Sequence, residues 1–105
     1  MTEITHGSAN VFADLGFTDA SERQTKARLA MAVNAIIQDR KLKQQEAASL
    51  LHIPQPKVSA LVNYRLDGFS VERLMQFLTA LDQDVEIMIR PRSRDVGAVS
   101  VLTVR

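Results

Sequence analysis

The sequence predicts a mainly α-helical single domain that turns to β structure near its C-terminus. Three observations carry this. A length of 105 residues allows one core, and 46% hydrophobic with 24% charged residues suits a globular fold. Apolar residues recur at helical spacing through much of residues 19–81. After Asp82 that period changes to strict alternation.

Taken in order, residues 1–7 carry no periodicity. Ser8 can cap a short helix through Leu15, with Gly16 as its stop. Asp19 and Glu22 have capping-box spacing and open a long helix to about Arg40, with Leu29, Ala32, Val33, Ile36 and Ile37 as its buried stripe. A helix over 44–51 follows, then two prolines, then helical pattern to Asn63. Asp67-Gly68-Phe69 reads as a turn, and Ser70 caps a fifth helix that buries Leu74, Phe77, Leu78 and Leu81. Val85, Ile87 and Ile89 alternate with Glu86, Met88 and Arg90, as in a half-buried strand ended by Pro91. Val99–Val104 reads as a second β-rich run. A lone hairpin is marginal, so Val85, Ile87 and Ile89 are expected to pair across a two-fold axis in a homodimer.

Composition excludes several functions. No cysteine means no disulfide framework and no thiolate zinc site, and the two histidines, His6 and His52, are far apart. There is no phosphate-binding glycine loop and no nucleophile with a nearby base, so neither an enzyme nor a cofactor is expected. No apolar run approaches membrane-spanning length, and the first 20 residues hold acids where a secretory signal would hold bases; a cytoplasmic protein is expected.

Charge is unevenly placed. Residues 1–20 hold three acids and no Lys or Arg, residues 21–64 hold seven bases and three acids, and residues 65–105 hold six of each. The excess positive charge therefore lies in the middle, as in a small nucleic-acid contact face or a solvated basic helix.

That middle contains QQEAASLLHIPQPKVSALVN, residues 44–63. Two short helices crossing around a tight turn need a small residue at the crossing and apolar residues pointing into the angle. Ala48 supplies the first; Ala47, Leu51, Ile53, Val58 and Leu61 supply the second. Gln55, Lys57 and Ser59 remain polar at the N-terminal end of the second helix, the end that enters the major groove in helix-turn-helix proteins. Gln pairs with adenine, Lys with guanine or phosphate, and Ser with either kind of target. Gln55 precedes a proline and is pushed from the α region, which suits an N-cap, and Pro56 then takes the first helical position.

This segment resembles the helix-turn-helix of the Xre family of phage-repressor-like regulators. With GSANVFADLGF (7–17) and LDGFSVERLMQFLTALDQDVEIMIRP (66–91), most of the chain is similar to the family's HigA-like antitoxin branch. The resemblance implies a five-helix DNA-binding core, a C-terminal strand or hairpin used for dimerisation, and a homodimeric repressor on a palindromic operator in double-stranded DNA. It divides the chain into an arm (1–20), a DNA-binding domain (21–82) and a dimerisation element (83–105). Gln44 would touch a phosphate, Gln55, Pro56, Lys57 and Ser59 would face the groove, and Ala60 could make only an apolar contact. Asn63, Arg65 and Ser70 would lie near the DNA backbone. Relatives in that branch also bind a small basic toxin of RelE or HigB type, the alternative role. Two departures from the family pattern are His52 at the turn position usually held by Gly, which must accept a left-handed conformation, and Lys43 where a Thr often caps, which leaves the first motif helix expected to fray.

Overall fold

The computed structural model describes residues 19–91 and 100–104. Four helices are present among them: α1 Asp19–Asp39, α2 Gln44–Leu51, α3 Gln55–Val62 and α4 Val71–Ala80. The expected helix from Ser8 to Leu15 lies outside the described residues. None of the described helices is long and apolar enough to cross a membrane.

One core joins all four helices. Leu29, Ala30, Val33 and Ile37 come from α1, Ala47 and Leu51 from α2, Val58 and Leu61 from α3, and Val71, Leu74, Phe77 and Leu78 from α4, with Phe69 and Leu81 at its ends. The long α1 packs mainly along α4, and α2 packs mainly on α3. Two polar ties complete this frame. Asn34 Nδ2 donates to the Leu61 carbonyl at 3.1 Å, joining mid-α1 to the end of α3. Arg40 Nη2 donates to the Leu81 carbonyl at 2.7 Å and its Nη1 lies 3.4 Å from Asp82, joining the C-terminal ends of α1 and α4.

All four helices stop in the same way, without glycine. Lys41, His52, Tyr64 and Asp82 take positive φ of 54°, 55°, 58° and 65°. After each, the next N–H reaches back five residues: Leu42 to Ile37 O, Ile53 to Ala48 O, Arg65 to Ala60 O and Gln83 to Leu78 O. These bonds occupy carbonyls that the ends of helices otherwise leave open, and they turn the chain sharply. A left-handed residue with a Cβ costs about 1–2 kcal/mol, and glycine removes that cost while losing about 0.5–1 kcal/mol more backbone entropy. His52 is exposed and no side-chain bond anchors it at this turn, so His52→Gly is expected to raise stability by about 0.5–1 kcal/mol. Urea denaturation measures this; a lowered midpoint would show that the imidazole supports the turn by another route.

The C-terminal expectation is corrected. The expected five helices with a C-terminal strand are not what the described residues show: they form four helices and no strand. Val85, Ile87 and Ile89 alternate in sequence, yet all three are exposed and belong to no ladder. Alternation chooses a face only where a sheet offers hydrogen bonds and a core to cover. Here the chain leaves the helical core after Leu81, and residues 100–104 are also unpaired in β structure. Among the described residues of that last run, Val101 packs against the core, and Val101 and Thr103 line a hollow beside α1.

Candidate nucleic-acid interface

The crossing of α2 and α3 is built as the apolar pattern requires. Ala47, Leu51, Val58 and Leu61 are buried, with Ala48 and Ile53 packed partly against them. Ala47 is fully buried at 0% exposure, while Ala48, the small residue expected at the crossing, is partly buried against the core. His52 makes the turn with φ 55° and ψ 44°, the left-handed conformation expected of it.

Both helix starts are defined by their sequence, though not as expected in detail. The Lys43 N–H donates to Glu46 Oε1 at 2.9 Å, so α2 is held at its first turn despite lacking a Thr cap. A lysine ammonium has no lone pair to accept a return bond, so only this half of a capping box forms. For α3 the N-cap is Pro54, extended at φ −64° and ψ 150°, one residue earlier than the expected Gln55. The Pro54 carbonyl accepts from Lys57 at 2.9 Å and from Val58 at 3.3 Å, which places Gln55 first and Pro56 second in the helix. Pro56 still costs no hydrogen bond there, since the first four N–H groups of a helix have no intrahelical partner.

These two starts converge. Gln44, the first residue of α2, meets Gln55, Pro56 and Ser59 of α3 around a shallow depression of 260 Å³. The first turn of α3 contains no acidic residue, so nothing opposes the partial positive charge of its free N–H groups. Two amides and a hydroxyl in an open hollow can both donate and accept hydrogen bonds, as base edges do.

The remaining expected residues lie elsewhere. Lys57 is exposed, but its Nζ donates to the Gly68 carbonyl at 3.3 Å and stands 5.1 Å from the Phe69 ring centroid. Ala60 is half-buried against the core. Asn63 turns back on its own helix, Nδ2 donating to Ser59 O at 2.8 Å. Arg65 is exposed just past α3, and the Ser70 hydroxyl accepts from Arg73 N–H at 3.0 Å as the N-cap of α4. Phe69, expected only as part of a turn, is a buried core residue packed edge-on against Phe77 with centroids 5.8 Å apart. Its place immediately before the Ser70 cap, with Leu74 five residues on, is hydrophobic-staple spacing, and that signal could have found it.

The chain is similar to known helix-turn-helix proteins over most of its length. A family model described as "Helix-turn-helix domain" matches residues 11–90. A solved structure named "Putative XRE Family Transcriptional Regulator" is 62% identical in sequence, superposes with a TM-score of 0.79, and is matched over 83% of this chain and 100% of its own. No curated protein matches the chain significantly. With crossed helices, a left-handed turn and a polar hollow at the head of α3, the chain belongs to the XRE family of helix-turn-helix transcriptional regulators.

Proposed function

We propose that this regulator binds double-stranded DNA in a sequence-specific way and represses transcription as a homodimer on a palindromic operator. The observation that carries the reading is the hollow where Gln44, Gln55, Pro56 and Ser59 meet at the starts of α2 and α3. A recognition helix presents the N-terminal end of its exposed face to base edges, and here that end carries Gln55 and Ser59. Gln44 suits a phosphate contact beside them. Arg65 and the α4 start at Ser70 flank this face, where positive charge and free N–H groups favour the DNA backbone. A palindromic operator requires two copies with recognition helices about 34 Å apart.

Gln55→Ala tests the base-reading role. A bidentate glutamine to adenine is worth about 1–3 kcal/mol of discrimination, so the expected result is roughly tenfold weaker binding to the preferred site. Preference should relax at one A·T position, with non-specific affinity unchanged. Competition titrations against singly substituted operators measure this, and uniform weakening across all sequences would assign Gln55 to the backbone instead.

A second reading, capture of a small basic toxin, is favoured by the segment after α4. Asp82, Asp84 and Glu86 are exposed there, next to Met88 and Ile89, which are 79% and 78% exposed. Acids beside open apolar side chains suit a basic protein partner. Co-purification with the product of an adjacent basic reading frame tests it; a chain that purifies alone beside that product would remove it.

A further inference from the structure

We propose that Lys57 acts on DNA recognition as a positioning residue: its ammonium pins the head of α3 to the loop before α4 and touches no base or phosphate. The inference rests on the DNA-binding reading of the same helix. Lys57 is the third residue of α3, directly between Pro56 and Val58, where a basic side chain would ordinarily be assigned to the nucleic acid. Its Nζ is instead committed sideways, to the Gly68 carbonyl at 3.3 Å and to the face of Phe69 at 5.1 Å. Phe69 is a firm anchor because it is itself 4% exposed and braced edge-on by Phe77. A cation over an aromatic face and a charged donor on a carbonyl both hold more strongly than neutral contacts.

The position in sequence is as informative as the distance. The contact joins residues eleven apart, across the turn that ends α3 at Tyr64. The other end of α3 is held by Asn34, which donates to the Leu61 carbonyl. One bond at each end fixes the tilt of a helix of eight residues, too short to hold itself in water. Lys57 thereby orients Gln55 and Ser59 without contacting what they read. A Cβ at Gly68 would lie 3.0 Å from Lys57 Nζ, the far end of a flexible side chain that can shift slightly to make room.

The test is a set of variants, Lys57→Met, Phe69→Leu, Lys57→Arg and the Lys57→Met/Phe69→Leu double, titrated with operator DNA over a range of salt. Lys57→Met is expected to weaken specific binding about fivefold while the slope of log affinity against log salt stays as in the wild type; losing a phosphate contact lowers that slope by about one. The double variant should lose less than the sum of the two single losses, and Lys57→Arg should retain binding, because guanidinium can stack and donate in the same place. A slope reduced by about one, or losses that simply add, would overturn the proposal. Urea midpoints of the same four-member cycle, measured without DNA, give an independent reading: non-additive shifts support the contact and additive shifts reject it. If the wild type binds no operator, the DNA-binding reading fails and the recognition role of Lys57 with it, while the urea cycle still decides whether the contact holds α3.

Discussion

Phe77→Ala is expected to lower the unfolding free energy by about 3–5 kcal/mol, the largest effect of any single truncation among the described residues. Phe77 is 1% exposed and is the largest of the fully buried side chains. Its ring meets Phe69 edge-on at an interplanar angle of 78°, and the Arg73 guanidinium carbon stands 5.0 Å from its centroid. Truncation therefore removes an aromatic pair and a cation–π contact, and it opens a cavity in the core that close-packed helices only partly fill. A domain of this size has roughly 5–15 kcal/mol in total, so the variant should melt far below the wild type or be partly unfolded at room temperature. Phe77→Leu, which keeps most of the volume, should fall between them. Urea or thermal unfolding followed by circular dichroism measures all three, and a loss below about 1 kcal/mol for the alanine variant would show that α4 is not central to the core. The consequence reaches the interface, because Phe77 braces Phe69 and Phe69 carries Lys57.

What the sequence made legible was what local chemistry decides. The α2 boundaries at Gln44 and Leu51 were readable because an apolar pair at the right spacing sits between a short connection and a turn residue. The start of α3 was readable within one residue because two prolines restrict where a helix can begin. Of the expected stripe of α1, Leu29, Val33 and Ile37 are buried and Ala32 and Ile36 pack partly against the core, while Ala30, at 0% exposure, lies outside that stripe. An alanine gives a weak periodic signal, and α1 is covered by more than one helix, so its buried face is wider than a single stripe. Of the four left-handed helix ends, only His52 was foreseen, since the signal for such ends is glycine and none of the four positions carries one. The direction of Lys57 depends on Gly68 and Phe69 being folded against it, a contact that no spacing rule reports. The terminal alternation misled for a related reason: a strand is defined by its neighbour, and Val85 to Arg90 has no such neighbour among the described residues.

Ser59→Glu should weaken operator binding by roughly a hundredfold while leaving the fold intact, and this contrast isolates the outward side of α3. Ser59 is half-buried at the edge of the hollow with Gln44 and Gln55, and no side-chain bond of its own supports the core. Glutamate is a better helix former than serine, so the substitution favours α3 locally. The backbone carbonyl of residue 59 that accepts from Asn63 is untouched by a change of side chain. What changes is charge. A carboxylate in the hollow would face the acceptor-rich edges of the major groove and the phosphates beside it, and like-charge juxtaposition at an interface costs several kcal/mol. At 1.4 kcal/mol per tenfold, a cost of about 3 kcal/mol corresponds to a loss of roughly a hundredfold. Specific and non-specific binding should fall together, unlike the selective loss expected for Gln55→Ala, because repulsion does not depend on sequence. Fluorescence anisotropy with labelled operator, paired with a thermal melt by circular dichroism, measures both halves. Affinity within twofold of the wild type in a variant with an unchanged melt would place α3 outside the groove and shift the DNA contact to another face of the domain.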